Sequence, residues 1–196
     1  IVGKAFIGNS CSMLVLGDNI FYGTSLSTKL RNAKSITRGA QIFAYRVNHP
    51  ERYGIVSFDQ RLKITSIEEK PTDPKSNFAV TGLYFYDNDV LDIAADLQPS
   101  ERGELEITDI NSVYLEKDLL SAQLLDRGYT WFDGGTQDDL LEASIFVRAI
   151  QKRQGLLVSC PEEIAFKQGW IDATQLEKLA QLFKDTHYGK YLTSLI

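Results

Sequence analysis

Short apolar runs rich in β-branched and aromatic residues alternate with segments of helical period along most of the chain. That alternation restricts the fold more than any other feature. Strands are expected over Ser12–Leu16, Ala40–Val47, Gly54–Phe58, Lys63–Glu69, Ala79–Tyr86, Ser121–Leu125 and Thr130–Asp133. Helices are expected over Ser25–Lys34, Asp89–Asp96, Glu104–Lys117 and Asp138–Arg153. In the third, Ile107, Ile110, Val113 and Tyr114 share one face. The stretch GIVSFDQRLKITSIEEK breaks the alternation with two short strands about an Asp-Gln-Arg turn, which is a hairpin. The fold class is therefore α/β with a mixed sheet rather than a purely parallel one.

After Gly155 the pattern turns almost wholly helical, so the expected division is a sheet domain over 1–155 and a helical subdomain over 156–196. Pro161 suits a first helical turn, and Asp172 is placed to cap the helix that runs to Phe183. The net charge of −5 argues against a general nucleic-acid binder, which needs a basic face. Cys11 and Cys160 lie in no CxxC or Cys/His cluster and read as two reduced, packed thiols of a cytosolic protein. No apolar run approaches the ~18 residues of a membrane span, and no signal peptide is evident. The opening IVGKAFIGNS reads like the interior of a longer chain.

Two apolar strands end in a carboxylate and glycine. MLVLGDN delivers Gly17, Asp18 and Asn19, and YTWFDGGT delivers Asp133, Gly134 and Gly135. In open α/β sheets ligands bind beyond the carboxyl ends of strands. Mg²⁺ is usually held by one or two carboxylates with substrate phosphates and water, so Asp18 and Asp133 converging would suit it. Two unrelated turn aspartates are the competing interpretation of that spacing. In SIEEKP, Glu68 and Glu69 point to opposite faces of a strand, one toward solvent and one toward a site, and Lys70 follows. Such a Glu–Lys pair suits a sugar hydroxyl and a phosphate, although a solvated edge has the same composition. In PSERGELEITDIN, Arg102 precedes an expected helix start and is placed for a phosphate, or else is a surface Arg after a Ser cap. His49 and His187 are far apart, and no GxSxG, HExxH or Cys–His arrangement occurs. Chemistry carried by a metal, a Lys and an Arg remains, which suits phosphoryl-type transfer.

The segments LVLGDNIFYG, PERYGIVSFD, SIEEKP, KSNFAVTGLYFYD, PSERGELEITDIN, LLDRGYTWFDGGT, EASIFVRAIQKRQG and CPEEIAFKQGWI occur in the order and spacing of the sugar-nucleotide pyrophosphorylases. Within them the chain resembles the glucose-1-phosphate thymidylyltransferases, from Ala5 to Leu195. The resemblance implies a Rossmann-like nucleotide-diphospho-sugar transferase fold, with a mixed, mostly parallel sheet and a C-terminal helical subdomain. It implies Mg²⁺-dependent union of dTTP with glucose 1-phosphate in the cytoplasm, giving dTDP-glucose and pyrophosphate and feeding dTDP-rhamnose and surface-polysaccharide synthesis. By position, Asp18 and Asp133 would bind the metal. Tyr53, Gly54, Glu69, Val80, Thr81 and Trp131 would surround the sugar. Lys70 and Arg102 would bind its phosphate and serve catalysis. A homotetramer is implied, with a second nucleotide site at Gly23, Arg127, Glu163 and Ile164.

Three departures are visible. The family's glycine-rich nucleotide loop precedes everything in this chain. Gly134 stands where the family usually has Thr, which would loosen the turn that aims Asp133. Lys167 replaces an Arg of some relatives. The alternatives are a related pyrophosphorylase for another nucleotide or hexose 1-phosphate, and a non-catalytic sugar-phosphate-binding module.

Overall fold

The computed structural model describes residues 2–100 and 102–196. The chain forms two compact units, 1–140 and 141–196, with the division inside one helix.

The first unit is built on a mixed sheet. Its strands are β1 (Ser12–Val15), β3 (Ala40–Arg46), β4 (Gly54–Phe58), β5 (Ile64–Glu69), β6 (Phe78–Tyr86) and β7 (Leu120–Leu125). The spatial order is β5-β4-β6-β3-β7, with β1 also on β6. Strand β6 is the spine. Strand β3 runs along one edge of it, while β4 at Phe78 and Ala79 and β1 at Leu83–Tyr86 share the other. A short ribbon of β2 (Ile20–Gly23) and β8 (Tyr129–Phe132) forms a separate antiparallel sheet.

The helices α1 (Lys4–Ile7), α2 (Leu26–Lys34), α3 (Val90–Ala95), α4 (Ile107–Glu116) and the start of α5 (Gln137–Gln154) complete this unit. One sheet face buries Ile42, Ala44, Val56, Ile67 and Tyr84 against Val90, Leu91 and Tyr114 of α3 and α4. The other buries Phe43, Leu83 and Phe85 with Ala33 of α2, and Ile55 and Ala79 with Trp131 of β8. Because β6 is covered on both faces, its sequence is mostly apolar and does not alternate with polar residues, the exception, Thr81, being itself buried.

The mixed sheet is as expected, but parallel pairing does not dominate among the described residues. Only β3–β7 is parallel, and β1–β6, β3–β6, β4–β5 and β4–β6 are antiparallel. The reason lies in the connections. The short turn of the β4–β5 hairpin forces antiparallel pairing, whereas parallel neighbours need a long crossover, which β3 and β7 have through α3 and α4. Two elements escape the sequence reading, α1 and β2, both only four residues long. Helix α4 opens at Ile107 rather than at Glu104.

A buried carboxylate ties the two faces of the fold's end together. Asp87 accepts from Gly39 N at 2.5 Å and from the Tyr114 hydroxyl at 2.6 Å. Burial first, and then that hydrogen bond, raise the Tyr114 pKa.

The second unit holds the rest of α5 with α6 (Pro161–Lys167), α7 (Ala173–Leu182) and α8 (His187–Thr193). Its core is Cys160, Leu176, Ala180, Tyr191 and Leu192. Pro161 occupies the first turn of α6 and Asp172 caps α7, as read from sequence, and Gln175 completes a reciprocal capping box with Asp172. Cys160 is buried as expected; Cys11 instead lies exposed, in the segment leading into β1. Among the described residues no helix is long and apolar enough to cross a membrane.

Replacing Tyr114 by Phe removes the 2.6 Å donor from a buried Asp87 oxygen and leaves it only the longer bond from Asp89 N at 3.2 Å. Urea denaturation should show a loss of about 1–3 kcal/mol, and a loss below a few tenths would mean that the bond contributes little.

Candidate active site

The ribbon settles the relation of the two aspartates. Ile20 lies opposite Phe132 and Gly23 opposite Tyr129, so Asp18 and Asp133 leave the same end of the ribbon side by side. A Cβ on Gly134 would stand 2.5 Å from the Asp18 carbonyl and 3.2 Å from its Cβ. Gly134 has φ +63, where glycine is at ease. The glycine that departs from the family pattern thus closes the turn on Asp18 rather than loosening it.

Tyr53 and Trp131 stand together, ring centroids 5.3 Å apart. The Tyr53 hydroxyl is pushed up to about 12, first by burial and next by the negative charge of Asp133. Gly54 follows, and a Cβ there would press to 3.1 Å on both Glu69 Oε2 and Thr108 Oγ1. Glycine at this position leaves room beside the Glu69 carboxylate. Glu69 accepts from Thr108 at 2.5 Å and faces Arg102 at 3.8 Å. Its neighbour Glu68 points the other way, to Lys75 at 3.0 Å. Arg102 is also held by Glu104 at 3.0 Å and Glu106 at 3.3 Å. It therefore stands in a carboxylate cage ahead of α4 rather than at the helix N-terminus.

Lys70 ends β5 with φ +41, a left-handed backbone that non-glycine residues rarely adopt, fixed by its N–H to Tyr53 O at 3.0 Å. It is exposed and makes no ion pair among the described residues, so its ammonium is available to an anion. Backbone strain of this kind concentrates at functional sites. Val80 lies half-buried on the α3–α4 face. Thr81 stands apart from the expected set: it is fully buried and donates to Phe43 O at 3.1 Å.

The comparisons agree with one another. A family model described as nucleotidyl transferase matches residues 1–150. The chain belongs to that family. Over its full length it is 56% identical to a glucose-1-phosphate thymidylyltransferase of Xanthomonas campestris and 51% identical to one of Neisseria meningitidis. It spans 66% and 68% of those proteins, respectively. Among solved structures it resembles one from Bacillus anthracis assigned to the same enzyme class, with TM-score 0.64 and 40% identity over 75% of this chain and 58% of that one. A UDP-glucose pyrophosphorylase with UDP-glucose shares the fold at TM-score 0.63 and 22% identity, over 77% of this chain and 60% of that one. The α/β mixed fold is that of this family.

Among the described residues no group of three or more His, Cys, Asp or Glu could hold a metal alone. The Asp18–Asp133 pair nonetheless fits a magnesium-type ion, which keeps waters and takes substrate phosphates.

Several site residues had no sequence signal. Thr108 pairs with Glu69 from a buried position on α4. Arg52 bonds Asp139 at 2.9 Å and thereby joins the short Pro50–Arg52 turn to the first turn of α5. The capping pattern Thr136-x-x-Asp139, with Thr136 Oγ1 accepting Asp139 N at 3.1 Å, was the one available clue. The expected regulatory residues are found in separate units. Gly23 lies under the Tyr129 ring, where a Cβ would meet Cδ1 at 2.3 Å, and Arg127 is exposed in the β7–β8 turn. Ile164 is exposed, whereas Glu163 is buried and held by Lys167 and, at 2.5 Å, by the Tyr191 hydroxyl. Burial pushes that carboxyl up, but these partners outweigh it and hold it below its ordinary value.

The Asp139 carboxyl is held below its ordinary value, chiefly by the Thr136 hydroxyl and then by Arg52, against the opposing effect of burial. A depressed carboxylate contributes stability above its unfolded pKa, about 4, and loses it as pH falls through the folded value. Arg52→Met should therefore cost up to about 1 kcal/mol near neutrality. The gap to wild type should close below about pH 4, as read by urea unfolding across pH. A gap that persists unchanged at pH 3 would refute the assignment.

Proposed function

We propose that the protein of which this chain is the sequence joins dTTP and glucose 1-phosphate to give dTDP-glucose and pyrophosphate. The observation that carries the reading is the placement of Asp18 beside Asp133 and Gly134 by the β2–β8 ribbon. The likeness to thymidylyltransferases over the whole chain supports the same substrates.

A sugar phosphate dianion is a competent nucleophile near neutral pH, so no protein base is needed. One of its oxygens forms the new bond to the α-phosphorus, and the bond to the β-phosphate bridge breaks as pyrophosphate leaves with its electron pair. Lys70, which makes no ion pair among the described residues, and Arg102 hold the attacking phosphate in line. Glu69, oriented by Thr108, accepts from sugar hydroxyls across the space left by Gly54. Tyr53 and Trp131 wall the pocket. Thr81 contributes through its bond to β3, and Val80 through packing behind the sugar. A divalent cation on Asp18 and Asp133, Mg²⁺ by their oxygen chemistry, would supply neutralisation of charge on the α-phosphate when bound.

The reading extends to a cytoplasmic homotetramer that feeds dTDP-rhamnose and surface-polysaccharide synthesis, with a second nucleotide site using Gly23, Arg127, Glu163 and Ile164. The sheet domain 1–155 carries the sugar-phosphate and metal groups, and 156–196 forms the helical part of the assembly.

The test is turnover of the full protein with dTTP, UTP and ATP in parallel against glucose 1-phosphate. Preference for dTTP is expected, and a clear preference for UTP or ATP would make this a related pyrophosphorylase instead. In the same protein, Lys70→Ala should weaken use of glucose 1-phosphate by about 2–4 kcal/mol in kcat/KM. Unchanged KM and kcat would remove Lys70 from the phosphate site.

A further inference from the structure

Along one edge of β6, strand β4 pairs with Phe78 and Ala79 and strand β1 ends with Val15 opposite Leu83, which leaves a gap between them. Opposite that gap the β3–β6 register shifts between Ile42 and Ala44, which lie across from Tyr84 and Val80. A shift of this kind re-aims backbone groups, and such irregularities recur beside active sites. Here the carbonyl of Gly82 accepts Leu16 N at 2.9 Å, while its N–H is offered to a side chain, that of Asn19.

Asn19 fills the gap with every polar atom engaged in a definite direction. Its Oδ1 accepts from Gly82 N at 2.9 Å and from Trp131 Nε1 at 2.7 Å. Its Nδ2 donates to Asp18 Oδ1 at 2.9 Å. One amide therefore joins the main sheet, the β8 strand and the metal-side carboxylate. The fit is tight, because a Cβ on Gly82 would come within 2.5 Å of Oδ1. Only an amide can do this work. A carboxylate would present no donor to Asp18, and an aliphatic side chain would strand Gly82 N–H and the indole N–H.

We propose that Asn19 is a positioning residue: it aims the Asp18 carboxylate at its partner Asp133 and fixes Trp131 against the sheet. The inference rests on the proposed role of the two aspartates. It goes beyond that role by assigning their alignment to a residue that touches neither substrate nor cation. Supporting groups that orient a metal ligand typically govern about 10–100-fold in metal affinity.

The experiment uses the full protein without substrates and titrates terbium, a luminescent stand-in for the divalent ion, with excitation through the aromatic residues. Competition by Mg²⁺ identifies the site. Trp131 emission and thermal melting are recorded on the same samples. Asn19→Ala should weaken terbium binding about tenfold or more and shift Trp131 emission. Gly82→Ala, which changes neither Asn19 nor any aspartate, should reproduce both effects by displacing Oδ1, and it serves equally if Asn19→Ala does not fold. Folded variants that bind terbium as tightly as wild type would overturn the positioning role and leave the metal reading intact. Wild type that binds no Mg²⁺-displaceable terbium would overturn the metal reading and this inference with it.

Discussion

Four residues of β2 lie against four of β8, and the candidate chemistry of this protein depends on that ribbon. Without it, Asp18 and Asp133 are two turn residues distant in sequence. With it, they leave the same end of one small sheet, and Gly134 closes down on the Asp18 carbonyl. The ribbon is too short to be stable alone. It persists because Phe21 and Trp131 pack onto Ile55, Ala79, Tyr45 and Tyr53 of the main sheet. The same apolar contact thus stabilises the fold and sets the site.

The rest of the site is assembled by opposed charges around glycines. Gly54 makes room for Glu69 and Thr108, and Arg102 stands among three carboxylates. Among the described residues Lys70, unlike Arg102, makes no ion pair, and its backbone is left-handed. Arg102 is thus pre-ordered by its carboxylates. Under the proposed role, Arg102 would exchange one of these carboxylates for phosphate, which favours orientation over raw affinity.

Much of this was legible in the residues. The seven strands read from sequence each overlap an observed one within about two residues, because long apolar runs and turn signals carry that information locally. Asp18, Asp133, Glu69 and Lys70 stood out as charges at the ends of such runs, and Arg102 as a charge ahead of a helix start. The short strand β2 did not stand out, since IFYG has no alternation long enough to announce itself. Nor did Arg52 or Thr108, whose partners are far along the chain, and Asn19 showed only as an amide at a strand tip, its partners Gly82 and Trp131 being remote. The preference for antiparallel pairs and the burial of Thr81 likewise belong to the sheet as a whole.

By itself, the sequence determined the α/β class, the hairpin of β4 and β5, the cap at Asp172 and the carboxylates placed at strand tips. These follow from side-chain period, turn chemistry and capping, each of which acts within about ten residues. Only the tertiary structure decided that the two strand-tip aspartates are neighbours, that Gly82 offers its N–H to Asn19, and that Arg102 is paired while Lys70 makes no ion pair among the described residues. Those facts depend on which remote segments share a sheet edge, and that is set by burial of apolar faces over the whole unit rather than by any local preference.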